Sequence, residues 1–246
     1  MGSKITLSKK VEVYLRNKIL NGELQPNDKI VELEVAKEMD VSRGPVRDAL
    51  KTLMFEGLVD YKTNKGCSVR TLSPKDAYEI FFIRGSLEKI ALERCGGHFS
   101  GEAIFKMDIA LERMKKACEE NSLTAIIAAD EMFHYQIVNM GGISLLTKMW
   151  QMLSPLNGAM FLTVKRAQKL GADVFQAPCD NKYAVSHKNN YEAHKAIFNV
   201  LKEGGLENSC LCLDAHYAIM GEKIYRVNLR EEASKNSMNS YSIPQL

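Results

Sequence analysis

Five histidines occur in the 246 residues, and three of them share a pattern with one aspartate. Asp130 and His134 stand four apart in Asp130-Glu131-Met132-Phe133-His134, so one helix face presents a carboxylate and an imidazole together. His194 lies in Tyr191-Glu192-Ala193-His194-Lys195-Ala196-Ile197, and His216 follows 22 residues later. Two antiparallel helices joined through Gly204-Gly205 bring these two to matching heights, with 10 residues leading up to the glycine pair and 11 leading away. Three imidazoles and one carboxylate meeting inside a helical bundle suit a divalent transition metal, with room left for water or a ligand. The plainer alternative is a set of hydrogen-bonded structural histidines. A metal-dependent hydrolase would need a general base as well. Glu131, turned roughly 100° from Asp130 around a helix, is expected to point away from the ion. The chain carries no HExxH, GxSxG, Walker loop or GxGxxG. His98 and His187 have no matching partner and read as surface or structural groups.

A second set of residues suits a polyanion. Residues 1–70 hold 13 Lys/Arg against 10 Asp/Glu, and this accounts for the whole net charge of +3. The run Val41-Ser42-Arg43-Gly44-Pro45-Val46-Arg47-Asp48-Ala49-Leu50 places Arg43 and Arg47 four apart, on one face near a helix start. In a helix-turn-helix that end enters the major groove, where a guanidinium donates to guanine or clamps a phosphate. Lys62 and Lys65 stand in the loop of a short hairpin and reach towards phosphates or the minor groove. Gly66 lets the chain reverse beside the backbone. The alternative for the two arginines is an ordinary solvated helix face.

The elements that must position these groups are almost all helical. Val11, Tyr14, Leu15, Ile19 and Leu20 recur at helical spacing after a Thr6–Ser8 capping region. A short helix over about Glu32–Met39 and a third over Arg43–Glu56, with Ser42 as N-cap, follow a Gln25-Pro26-Asn27-Asp28 turn. Leu58–Tyr61 and Cys67–Arg70 read as two strands. Helix–helix–helix–hairpin is a winged helix-turn-helix. After Leu72-Ser73-Pro74, amphipathic stretches over 75–96, 101–119, 122–139, 143–169, 186–203 and 206–229 predict an antiparallel all-α bundle. The predicted fold class is therefore mainly α. Its divisions are a winged helix-turn-helix over 1–72, an all-helical bundle over 73–230, and a loose tail over 231–246; the resemblances given next imply that the first binds DNA and the second senses a ligand and dimerises. Gly171–Ala184 is the least regular stretch and reads as a lid or insertion.

The first part resembles the amino-terminal domain of the GntR-type bacterial transcription regulators. Ile19, Gly22, Leu24, Pro26, Ser42-Arg43, Pro45-Val46-Arg47, Ala49-Leu50, Leu53, Glu56-Gly57-Leu58-Val59 and Gly66 carry the resemblance. It implies DNA contact by Arg43, Arg47 and Gly66, with Ser42 and Gly44 beside the backbone. Asn27 departs from the glycine usual after Pro26, and Leu33 stands where some members place another DNA-contacting arginine. Asp130-x-x-Phe133-His134, Glu192-x-His194-x-x-Ile197 and His216 resemble the FCD effector domain of the FadR-like branch. That likeness implies a metal, zinc or nickel, on Asp130, His134, His194 and His216. It also implies that Arg84, in Arg84-Gly85-Ser86-Leu87-Glu88, binds the carboxylate of a small organic acid. The plain alternative for Arg84 is an intrahelical ion pair with Glu88. Trp150, Met152, Met160 and Phe161 are expected to line the pocket or to pack in the core.

Composition sets the outer limits. With 46% hydrophobic and 26% charged residues the chain is globular, and its apolar runs are too short for a membrane span. The six cysteines form no CxxC pair, and the start of the chain lacks an apolar signal region. A cytoplasmic location follows as an expectation. The resulting reading is a ligand-responsive transcriptional repressor, not an enzyme. It acts as a homodimer on a near-palindromic double-stranded operator and answers a small carboxylate effector. The alternatives are a metal-dependent hydrolase, or a regulator whose helical domain only dimerises.

Overall fold

The computed structural model describes residues 5–70, 72–160, 183 and 189–221. Thr6 caps α1 (Leu7–Asn21) by accepting from the Lys9 amide at 3.2 Å, and Gly22 ends the helix in a left-handed conformation, φ 79°. Asn27 also lies in the left-handed region, φ 72°, which explains how it replaces a glycine in this turn. After it comes a strand the sequence pattern does not reveal, β1 (Lys29–Ile30). Two residues are too few to show alternation. α2 (Glu32–Glu38) and α3 (Arg43–Phe55) follow, then β2 (Val59–Lys62) and β3 (Gly66–Val69). The two wing strands are each offset by one residue from the expected ranges. The sheet runs β1-β3-β2, antiparallel throughout, with Lys29 opposite Ser68 and Val59 opposite Val69. This is the expected winged helix-turn-helix.

Ser42 stands at the N-cap of α3 but makes no capping hydrogen bond, contrary to expectation. The reason lies three residues on. A capping oxygen draws on the N–H at the second or third helical position, and Pro45 fills the third with no N–H to give.

The second part is a helical bundle: α4 (Pro74–Cys95), α5 (Gly101–Glu119), α6 (Leu123–Met140) and α7 (Ser144–Leu153), then a helix over Asn190–Glu203 and helical residues 206–221. Ser73 and Asp76 form a capping box at the start of α4. The expected 143–169 helix is interrupted. α7 gives way to a 3-10 turn over Ser154–Leu156, and 157–160 are helical again. Pro155, at the start of this turn, has no amide hydrogen to donate. The remainder of that stretch, the 171–184 segment apart from Tyr183, and the 231–246 tail lie outside the described residues. Among the described residues no helix is long and apolar enough to cross a membrane, and no cysteine is in a disulfide.

The two largest hydrophobic clusters among the described residues lie one in each part. In the winged helix-turn-helix (the reader), Val46, Leu50 and Leu53 of α3 pack with Val11, Leu15 and Ile19 of α1 and with Val59 and Val69 of the wing. In the bundle, Leu92, Met107, Leu111, Phe133, Ile137, Ile197, Phe198 and Leu213 form a separate cluster. The two parts touch: Ala159 joins the reader core, and Leu123 and Ile127 of α6 pack on it. Thr124 donates to the Asn17 side chain of α1 at 3.2 Å. At Gly158 an added Cβ would sit 3.1 Å from Leu58 and 3.4 Å from Leu20, so glycine permits this close approach. Leu53 is fully buried. Leu53→Ala should lower stability by about 2–5 kcal/mol, read by urea unfolding; an unchanged midpoint would contradict its place in the core.

Candidate metal centre

α6 buries Asp130 and His134 one turn apart, and the Asn190–Glu203 helix buries His194. Residues 206–221 bring half-buried His216 alongside. Phe133, fully buried, sets its ring edge-on to His134 at 5.5 Å and to His194 at 5.2 Å, holding both imidazoles upright. The His216 ring lies tilted 5.3 Å from His134 and edge-on 5.1 Å from His194 between ring centres. The three imidazoles offer ligand atoms that all lie within 4.8 Å of one another.

Their hydrogen bonds decide what the cluster can do. His134 Nδ1 lies 2.8 Å from Glu88 Oε2, and His194 Nδ1 lies 2.7 Å from the Asn190 carbonyl oxygen. Both partners only accept, so both Nδ1 atoms carry the proton and both Nε2 atoms present lone pairs. Those two Nε2 atoms face each other at 3.1 Å. Asp130 Oδ1 joins them, 3.0 Å from His194 Nε2 and 3.8 Å from His134 Nε2. Three acceptors this close repel one another unless a cation sits among them: a further proton, making an imidazolium, or a metal ion. Donors around a tetrahedral zinc lie about 3.3 Å apart, given ligand distances of 2.0–2.2 Å. The residues present therefore fit a metal of this class.

Electrostatics agree. Burial disfavours an ionised Asp130, but once the cluster holds that further proton, the hydrogen bond from His194 and the positive charge on the imidazoles and Arg84 hold its carboxyl below the usual range. Burial likewise disfavours charge on His134, and the Glu88 carboxylate outweighs it, raising the imidazole above its ordinary value.

Sequence reasoning missed the layer behind the ligands. Glu88, fully buried, accepts at Oε1 from Trp150 Nε1 at 3.0 Å and from Tyr217 OH at 2.6 Å, leaving Oε2 to fix His134. Gly85 makes this possible, because a Cβ there would lie 2.8 Å from the Tyr217 ring. Asn157 donates to Asp130 Oδ2 at 2.9 Å and to Glu131 Oε2 at 3.2 Å. Only the position of Glu88, one turn after Arg84, was visible as a signal.

Several expectations change. Arg84 is fully buried over the Trp150 ring, 4.2 Å from its centre, and donates to Glu131 Oε2 at 3.3 Å; the alternative pairing with Glu88 is not what forms. Glu131 does not simply turn away: its side chain is long enough to swing onto Arg84 and Asn157 beside Asp130. Met152 is 75% exposed, while Met160 packs with Phe81 and Tyr217. Phe161 and His187 lie outside the described residues, and His98 is exposed.

At the other end, Arg43 Nη2 and Arg47 Nε converge on one oxygen of Glu32, at 3.0 and 2.8 Å, with both arginine side chains 55% exposed. The hydrogen bond from Arg47, joined by Arg43, holds the Glu32 carboxyl below its ordinary value. Ser42, Gly44, Lys62, Lys65 and Gly66 are exposed on the same domain. The Lys65 amide closes the wing turn onto the Lys62 carbonyl at 2.9 Å, and Gly66 has φ 80°. Glu88→Gln keeps the size of the group supporting His134 and removes its charge. Zinc affinity should fall about 10–100-fold, measured by competition with a chromogenic chelator; equal affinity would show that Glu88 does not support the cluster.

Comparison with known proteins places both halves. Residues 7–69 match the family described as bacterial regulatory proteins, gntR family, and residues 79–218 match the FCD domain. The chain is 26% identical over 216 residues to a protein named as a probable D-xylose utilization operon transcriptional repressor of Paenarthrobacter nicotinovorans, covering 88% of each chain. It is 28% identical over 166 residues to the gluconate operon transcriptional repressor of Bacillus licheniformis, covering 68% of each. A 33% identical match to an uncharacterized HTH-type transcriptional regulator of Bacillus subtilis spans 51% of this chain and 56% of that one. Among solved structures, a GntR transcriptional regulator from Rhodococcus sp. RHA1 has the same fold, with a TM-score of 0.66 at 19% identity over 89% of this chain and 97% of that one. With a winged helix-turn-helix in front of an FCD domain, the chain belongs to the GntR family of bacterial transcriptional regulators.

Proposed function

We propose that this chain is a metal-dependent, carboxylate-responsive repressor of the bacterial cytoplasm. In this reading residues 1–72 hold an operator, and residues 73–230 sense the effector and dimerise. The observation that carries the proposal is the meeting of His134 Nε2, His194 Nε2 and Asp130 Oδ1 at 3.0–3.8 Å from one another in the buried interior. Asp130, His134, His194 and His216 would hold zinc or nickel, which supplies a fixed positive charge for an anionic ligand.

The protein's own groups do the rest. Arg84, stacked on Trp150 and shut off from water, offers a fork of N–H donors to a carboxylate. Glu88 and Asn157 fix His134 and Asp130 in place. Glu131 is held by Arg84 and Asn157 rather than aimed among the imidazoles, which favours a sensor over a hydrolase. Relatives named as operon repressors support repression, and gluconate, in the name of one such operon, is itself a small carboxylate. Exposed Ile83 and Ile90 on α4 and Leu145, Met149 and Met152 on α7 form apolar surface that supports association with a second copy. A two-fold pair of recognition helices would read a near-palindromic duplex. Arg43 and Arg47, gathered on Glu32, face that duplex with the Ser42 hydroxyl and the Gly44 backbone. Lys62, Lys65 and Gly66 lie along its backbone.

Two variants separate the halves. Arg47→Ala should cost about 1–3 kcal/mol of operator affinity in a fluorescence-anisotropy titration and leave the metal content as it was. Undiminished sequence-specific binding would remove Arg47 from the interface. His194→Ala should lose the metal and the response to carboxylate while still binding DNA, and a full complement of metal by elemental analysis would refute the ligand assignment.

A further inference from the structure

Glu131 faces two ways. Its Oε2 accepts from Arg84, yet its side chain also lines a cavity of about 560 Å³ between the DNA-binding domain and the bundle. The reader's side of that cavity is built by Arg16, Leu20, Glu56 and Leu58. Arg16 is clamped there by carboxylates of its own, Glu12 on α1 and both oxygens of Glu56. Glu56 is the C-cap of α3, the helix that carries Arg43 and Arg47. A chain of charged groups therefore runs from the buried Arg84 through Glu131 and the cavity to Arg16 and the end of α3.

The Arg84–Glu131 contact is loose for a charge-assisted hydrogen bond. Its 3.3 Å exceeds the ~2.7–2.9 Å usual for such pairs. Glu131 is 29% exposed towards the cavity, while Arg84 is 2% exposed. A free carboxylate arriving in front of Arg84 would meet the guanidinium without the tether of a helix and can pair with it through two oxygens.

We propose that Glu131 is the effector's internal stand-in: it occupies Arg84 in the unliganded protein, and the effector's carboxylate displaces it into the interdomain cavity. There its charge competes with Glu56 for Arg16 and loosens the clamp on the end of α3. The inference rests on the carboxylate-sensor reading and adds how that site reaches the DNA. Glu131 acts here through Arg84 and Arg16 and is a positioning residue. The interaction is an exchange of partners among charged side chains, with no bond made or broken.

The test uses full-length, zinc-loaded protein, a duplex that the wild type selects from a random-sequence pool, and acetate, L-lactate and citrate as carboxylate probes. In wild-type protein at least one probe should shift duplex affinity by about 5- to 150-fold. Glu131→Gln should bind that probe about tenfold more tightly, since its competitor is gone, and its duplex affinity should move less than about twofold on adding the probe. A residue that merely supported the pocket would weaken probe binding when changed. Arg16→Gln, away from the metal, should bind the probe as the wild type does and lose the duplex response. If both variants keep the full wild-type response, the partner exchange is overturned and the sensor reading stands. If the wild type responds to none of the probes, both fall.

Discussion

Two imidazole lone pairs and a carboxylate oxygen are pushed together in the dry interior of the bundle, and everything around them serves to keep them there. Glu88 and the Asn190 carbonyl take the Nδ1 protons, so neither ring can turn a donor towards the other. Asn157 steadies Asp130, and Phe133 wedges both rings upright. Such a cluster is stable only with added positive charge. The proposed metal and the buried Arg84 supply it in different forms, one for the ligands and one for an incoming acid. Six separate helical stretches contribute groups to this small volume, which is why the bundle must be assembled before the site exists.

The same requirement ties the sensor to the reader. α6 carries Asp130 and His134 inward, Glu131 towards the interdomain cavity, and Thr124 and Ile127 onto α1 and the reader core. α6 therefore touches both the candidate metal centre and the reader core. Gly158 lets the 157–160 segment press against Leu58 and Leu20. In the proposed mechanism, effector and operator bias one shared arrangement, and the coupling is then reciprocal: whatever the acid does to DNA affinity, DNA does to acid affinity.

Much of this was legible before any coordinates. The four-residue step from Asp130 to His134 and the equal arms around Gly204-Gly205 point to a shared centre because helical geometry is regular. The Arg43–Arg47 step points to one helix face for the same reason. What stayed hidden depends on contacts between distant elements. Glu88 looked like an ion-pair partner for Arg84, and only the approach of Tyr217 over Gly85 and of Trp150 from α7 shows that it serves His134 instead. Asn157 carried no sequence signal, since its value lies in reaching two carboxylates of another helix. Ser42 was misjudged because its cap and Pro45 were weighed separately, although Pro45 removes one of the two amides a capping oxygen can use. Glu131 was placed by backbone angle alone, and its flexible side chain found Arg84.

Calorimetric titration of zinc into chelator-stripped, full-length protein tests the metal-centred reading most directly. One ion should bind per chain, and repeating the titration in buffers of different ionisation enthalpy should reveal protons leaving as zinc replaces the imidazolium that otherwise holds the cluster together. A protein that folds normally and takes up no stoichiometric zinc or nickel would show that a shared proton is all these groups were built to hold.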